Sequence, residues 1–285
     1  MNDQVEPGTR ESQERYAALL DTLRGFGSVC IGYSGGVDSA FLAVAAVEAL
    51  SGADVLAVTG LSAAYPEVQR GTARSVAERY GIPHLEIETH ELADPNYAAN
   101  PHNRCYYCKT ELWGRLREIA RERGLAVVAD GSNADDAHDV RPGMRAAREF
   151  AVRSPLLEVG LTKAEIRALS RRLCLPTWDQ PAAPCLSSRL PYGLAVTPAR
   201  LRQVERAEDA VRALGLREFR VRHHGDVARL ELAPDELAQA FGLRAQLHAA
   251  VRAAGFSRVL LDIEGYRRGA LNEALMPVSL TLGRP

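Results

Sequence analysis

Val29-Cys30-Ile31-Gly32-Tyr33-Ser34-Gly35-Gly36-Val37-Asp38-Ser39 decides the fold. Its first residues form an apolar run that reads as a buried strand, and the run breaks into a small, glycine-rich turn. The turn passes directly into Ala40-Phe41-Leu42-Ala43-Val44-Ala45-Ala46-Val47-Glu48-Ala49-Leu50, an alanine-rich stretch that predicts a helix. Strand, glycine turn, helix is the order that points backbone N–H groups and a helix N-terminus at an anion. The glycines keep Cβ atoms out of the way of an approaching ligand. Ser34 and Ser39 add hydroxyl donors, and Asp38 is expected to cap the helix or to position metal or loop. No lysine stands here, so this is not the Gly-x-x-x-x-Gly-Lys-Ser/Thr loop. The plain alternative is an ordinary tight turn of an α/β sheet; the matched positions in a strand-to-helix context favour a nucleotide site.

Outward from this stretch, the alternation continues. Arg10 to Arg24 is amphipathic, with Tyr16, Leu19, Leu20 and Leu23 on one face. Further strands are expected at 54–59, 84–89 and 125–130, separated by helices at 66–80 and 104–123. Strands alternating with helices are the signature of an α/β doubly wound parallel sheet. Gly131 to Gly143 reads as a polar loop, and Thr162 with Glu165 has the spacing of a capping box that opens a helix. Residues 175–193 hold Pro176, Pro181, Pro184 and Pro191, which predicts a long functional loop and a domain boundary near 190. The expected domains are therefore 1–190, for nucleotide and cysteine loops, and 191–285, a smaller C-terminal α+β domain. In the latter a helix from Thr197, strands at 219–223 and 227–232 around a His224-Gly225-Asp226 turn, a helix at 234–254 broken near Gly242, and a strand at 258–263 are predicted.

The 285 residues are 46% hydrophobic and 25% charged, the profile of a soluble globular protein with a real core. No apolar run approaches the roughly 20 residues that cross a bilayer. Residues 1–15 lack an apolar signal segment, so a cytoplasmic protein without a membrane partner is expected. A net charge of -1, with acidic residues among the arginine clusters, argues against a nucleic-acid substrate. Five cysteines, an odd count, point away from a disulfide framework and toward catalysis or metal binding.

Cys105-Tyr106-Tyr107-Cys108 stands at a helix start, where two thiolates can face one metal and the helix N-terminus stabilises their charge. Such a pair is open between a redox dithiol, half a zinc site with His102 nearby, and part of an iron–sulfur site. Cys185 lies in the proline-rich loop, and three cysteines can hold a four-iron cluster with one iron open. Cys30, inside a strand, and Cys174, ending a helix, are expected in the core. Asp130-Gly131-Ser132-Asn133-Ala134-Asp135-Asp136 leaves a strand at its carboxyl end, where ligands bind in such sheets and where acidic and amide groups can hold Mg2+ or nucleotide. Arg141 is a further phosphate-binding candidate. Arg220 and Arg222 alternate along one strand and share a face, which suits a phosphate or carboxylate, or a salt-bridged sheet face with Glu208 and Glu231.

The Ser34–Ser39 stretch resembles the pyrophosphate loop (PP-loop), Ser-Gly-Gly-x-Asp-Ser, of enzymes that split ATP between the α and β phosphates. Together with Arg104 to Lys109, Asp130 to Asp136, Arg141-Pro142-Gly143, Pro155 to Ser170, Pro181 to Gly193, Val221 to Glu231 and Leu261 to Gly269, it resembles the LarE family over nearly the whole chain. These are ATP-dependent sulfur transferases that help build the nickel-pincer nucleotide of lactate racemase. The resemblance implies an adenine nucleotide alpha hydrolase-like fold, ATP with Mg2+, and a nucleotide site of Ser34, Gly35, Gly36, Val37, Asp38, Ser39, Asp130 and Arg141. It implies a small substrate, pyridinium-3,5-biscarboxylic acid mononucleotide, whose phosphate meets Arg220 and Arg222 and whose carboxylates are adenylylated and then converted to thiocarboxylates. It also implies a homo-oligomer. Some members sacrifice one cysteine sulfur; those with three cysteines are thought to use a [4Fe–4S] cluster. Cys105, Cys108 and Cys185 resemble the cluster type, with Cys185 the catalytic position. The loop alone is shared with tRNA thiolases and with amidating ligases such as NAD synthetase, which are the alternatives.

Overall fold

The computed structural model describes residues 10–137 and 142–267. Arg141, Arg268 and Gly269, which belong to the motifs above, lie outside the described residues. The chain divides into two compact units, Met1–Ala183 and Pro184–Pro285.

In chain order the first unit holds α1 (Arg10–Phe26), β1 (Val29–Gly32), α2 (Val37–Ala49), β2 (Val55–Leu61), α3 (Glu67–Arg79), β3 (His84–Glu88), α4 (Pro95–Ala98), α5 (Arg104–Arg123), β4 (Val127–Ala129), α6 (Pro142–Glu149), α7 (Pro155–Glu158) and α8 (Lys163–Arg172). The four strands are parallel, in the order β3-β2-β1-β4. Side chains of a strand point alternately to its two faces, and the sequence uses both. Val29 and Ile31 of β1, Val55 and Ala57 of β2, and Ala129 of β4 join one core with α1, α2, α3, α7 and α8. Cys30, Leu56, Val58 and Val128 join the other, beneath Trp113, Leu116 and Ala120 of α5 and Ala146 of α6. A sheet buried on both faces explains why its strands read as continuous apolar runs. Trp113 is 1% exposed, and its truncation to alanine is expected to cost about 3–5 kcal/mol.

Chain order reverses at β1, which pairs with β2 on one side and β4 on the other. Such a reversal opens a crevice at the carboxyl ends of the strands. The loops after β1 and β4, singled out in the sequence, both start there.

Three details differ from the sequence reading. The stretch 131–143 is not wholly loop, because α6 begins at Pro142 and buries Ala146 and Ala147. Its eight residues fall short of the roughly 11-residue window over which a helical period is read. Cys174 is exposed: it takes φ 56° just after α8, so the chain turns and Leu175 enters the core in its place. Asp38 is not the N-cap of α2; Gly36 is, and Asp38 sits in the first turn.

The second unit holds α9 (Pro198–Ala213), β5 (Phe219–His224), β6 (Val227–Leu232), α10 (Leu237–Gly242), α11 (Arg244–Ala253) and β7 (Arg258–Leu261). β5 and β6 are antiparallel, and β7 pairs in parallel with β6. Thr197 caps α9 through the Arg200 N–H. His224 is the last residue of β5 rather than part of the turn, and His223 is buried. The 3-10 turn Leu186–Arg189 is fastened within the second unit, where buried Arg189 pairs with Glu208 of α9.

Candidate active site

The loop after β1 is shaped as an anion cradle. Gly35 has φ 66°, and a Cβ there would lie 2.7 Å from the Ala73 Cβ and 2.8 Å from its Cα, so only glycine fits. Gly36 caps α2 with no side-chain hydrogen bond, which leaves the first-turn N–H groups of a 13-residue helix open to a ligand. The loop is braced internally. Ser34 N–H donates to Ser39 Oγ (3.2 Å), and the two serine hydroxyls are 3.1 Å apart. From below, Thr59 Oγ1 donates to the Tyr33 carbonyl (2.7 Å) and lies 2.8 Å from His84 Nε2. Burial pushes the pKa of the His84 imidazole down from its ordinary value.

The loop after β4 closes against this cradle. A Cβ on Gly131 would lie 3.0 Å from the Ser39 nitrogen and 3.2 Å from the Asp38 carbonyl carbon. Asp130 organises the loop itself: its carboxylate accepts from Ser132 N–H (3.0 Å), Ser132 Oγ (3.0 Å) and Ser154 Oγ (2.8 Å).

Lys163, to which the sequence reading gave no role, completes the site. Its ammonium meets Asp38 Oδ2 at 2.5 Å, and its backbone N–H donates to Asp135 Oδ2 at 2.9 Å. Lys163 is the first residue of α8, whose entry is fixed by the Thr162–Glu165 capping box and by Arg15 Nη1, 2.9 Å from each Glu165 oxygen. With Oδ2 taken by Lys163, Asp38 Oδ1 is buried and has no hydrogen-bond partner among the described residues. An anionic oxygen in that state is suited to a cation. The pairing spans 125 residues of sequence, so neither motif announces the other.

Cys105 and Cys108 are the second and fifth residues of α5, the former exposed and the latter half-buried. Asn103 caps this helix without a side-chain hydrogen bond, and the positive end of the helix lies beside the two thiols. The turn is set by Asn100, buried at φ 56°, whose Oδ1 accepts from Arg104 Nη1 at 2.6 Å. Behind it, Tyr106 donates to Glu149 of α6 (2.6 Å) under the Arg145 guanidinium. This donor set, two thiols one turn apart, fits two ligands of a soft metal or cluster. Among the described residues no group of three His, Cys, Asp or Glu is assembled around a metal position.

In the second unit, half-buried Cys185 caps the Leu186–Arg189 turn. Arg189 grips Glu208 with two bonds (2.8 and 2.9 Å) and donates to the carbonyls of Pro184 (2.6 Å) and Cys185 (3.2 Å). Arg222 pairs with Glu231 (2.7 Å) and donates to the Ser188 carbonyl (2.8 Å), so it also holds the cysteine turn. Arg220 stacks on Tyr266 at 4.6 Å, and burial, then the nearby Arg189 charge, pushes its pKa down. Arg189 is the group that pattern reading missed: no spacing marks an arginine that binds a helix 19 residues away.

The NAD synthase family profile matches residues 17–124, the portion that carries the cradle. The chain is 33% identical to the pyridinium-3,5-bisthiocarboxylic acid mononucleotide synthase of Lactiplantibacillus plantarum over 264 residues, 93% of this chain and 96% of that protein. The chain belongs to the LarE family. Two more relatives align over comparable lengths: an uncharacterized protein of Synechocystis sp., 45% identical over 86% of this chain and 92% of its own, and one of Methanocaldococcus jannaschii, 26% identical over 84% and 90%. Like its family, this LarE chain has the PP-loop ATP pyrophosphatase fold and is an ATP-using enzyme. Among the described residues no helix is long and apolar enough to cross a membrane.

Proposed function

We propose that the protein is an ATP-dependent sulfur transferase that converts the carboxylates of pyridinium-3,5-biscarboxylic acid mononucleotide to thiocarboxylates, for nickel-pincer nucleotide biosynthesis. One observation carries the reading: the cradle at Ser34–Ser39 occurs in one chain with thiols at a helix start and at a separately braced turn. In the first step a substrate carboxylate oxygen attacks the ATP α-phosphorus, the bond to the β-phosphate oxygen breaks, and pyrophosphate leaves. The open N–H groups of α2 would neutralise the leaving charge, Asp38 would hold Mg2+, which when bound supplies further positive charge, and Lys163 holds the Asp38 carboxylate in place. In the second step a sulfur nucleophile attacks the acyl carbon and the bond to AMP breaks. Cys105, Cys108 and Cys185 are the residues that would hold a [4Fe–4S] cluster, which supplies sulfide as the nucleophile when bound. Arg220 and Arg222 would receive the substrate phosphate, in a setting where three buried guanidiniums (189, 220, 222) meet two buried carboxylates (208, 231).

The test is anaerobic turnover with ATP, Mg2+ and the mononucleotide, with AMP, pyrophosphate, product mass and chain mass all followed. Oxygen replaced by sulfur in the product, with an unchanged chain mass and iron and sulfide present, is the expected result. Loss of sulfur from the chain would replace the cluster by a sacrificed cysteine. The NAD synthase match favours a second reading, an amidating ligase; an amide product formed with ammonia would establish it instead.

A further inference from the structure

The carbonyl of Ser34, at the head of the cradle, is held by two side chains, Tyr65 just ahead of α3 and Gln69 in its first turn. Tyr65 Oη donates to it at 2.9 Å and Gln69 Nε2 at 3.0 Å. Gln69 is 3% exposed, and its own Oε1 accepts from Gln180 Nε2 at 3.1 Å. The polarity of this chain is forced. A carbonyl only accepts, so Gln69 must turn its NH2 to Ser34 and its oxygen to Gln180, and Gln180 must then present its NH2. Gln180 is fixed in turn by Arg167 of α8, which donates to the carbonyls of Trp178 (2.6 Å) and Gln180 (2.7 Å).

A trans peptide is planar, with its C=O and N–H pointing opposite ways. Fixing the Ser34 carbonyl on α3 therefore fixes the Gly35 N–H away from α3. We infer that the Gln180–Gln69 amide chain is a positioning device for the phosphate loop, with Gln69 the positioning residue that sets the direction of the Gly35 amide. Through Gln180 that direction depends on the stretch that runs on in sequence to Cys185. The inference rests on ATP cleavage at this loop and not on the sulfur chemistry, so its probe is inorganic pyrophosphate.

The experiment compares Gln69→Met and Gln180→Met, which keep side-chain length and remove the amide, with their double variant. Dissociation constants for pyrophosphate with Mg2+ and for adenosine are measured by calorimetry. Gln69→Met is expected to weaken pyrophosphate binding roughly 10-fold, as for one lost hydrogen bond to a charged group, and to leave adenosine binding unchanged. Gln180→Met should act in the same direction and more weakly, and the double variant should be no worse than Gln69→Met. Equal loss for both ligands would mean a merely structural role, and additive losses would mean no relay; either overturns the inference. Tyr65→Phe, which removes the second donor without changing volume, carries the same test should Gln69→Met fail to fold. A wild-type protein that bound ATP and pyrophosphate yet transferred no sulfur would sink the proposed function and leave this inference standing.

Discussion

At the residue scale, Asp38 is the side chain whose two oxygens have different fates, one neutralised by Lys163 and one buried without a hydrogen-bond partner among the described residues. Asp38→Asn should lower pyrophosphate release by roughly 10²-fold and raise the Mg2+ concentration needed for half-maximal rate, in line with losing a preorganised charge at the leaving group. Lys163→Met should shift the Mg2+ requirement in the same direction by freeing the carboxylate to turn. An unchanged Mg2+ titration in Asp38→Asn would remove the metal from this position. Cys30 gives a second test. Burial pushes its thiol up to about 12, so at pH 8 iodoacetamide should label exposed Cys105 and spare Cys30 in the native protein, as read by peptide mass spectrometry. Cys30 was legible as a core residue because it sits inside the continuous apolar run of a strand buried on both faces. Cys174 was not, because its exposure comes from a left-handed backbone angle that apolar patterning does not encode. Lys163 and Gln69 were invisible as site residues for a different reason: each acts on the loop through a contact that only the folded sheet creates.

At the element scale, periodicity carried most of the first unit. The strand and helix positions follow the sequence reading closely, since strands buried on both faces and capped helices leave strong signals. Short helices are the exception. α6 and α7 are stabilised by what they pack on rather than by their own pattern, and α6 lies against α5 with Ala146 and Ala147 buried. The junction of α3 with β3 has a measurable signature. Glu86 of β3 accepts from Arg70 and Arg74, one turn apart on α3, and these bonds pull its pKa down to about 2. A depressed carboxylate stabilises the fold above its ordinary value of 4.5, and that stabilisation is lost as pH falls toward 2. Urea midpoints should therefore drop across this window in the wild type and drop less in Glu86→Gln. Equal slopes would show that the pair does not hold the edge strand.

At the scale of the whole molecule, two units with separate cores should unfold in two calorimetric transitions. Arg189→Met leaves Glu208 buried without its partner, a change expected to cost about 3–5 kcal/mol. It should lower only the transition that belongs to the second unit; a shift of both would mean that the units do not melt independently. The proline-rich stretch suggests a boundary near residue 190, whereas the Arg189–Glu208 ion pair that fastens the cysteine turn within the second unit is not a pattern that a sequence displays. The order of the strands has one more consequence, in time. The loop at Ser34–Ser39 leaves the ribosome early, yet its sheet partner β4 and the ammonium of Lys163 are made much later, the latter 125 residues after Asp38. A nascent chain thus carries the phosphate cradle for most of the synthesis of its first unit without the Lys163 contact to Asp38, which forms only when α8 emerges and docks.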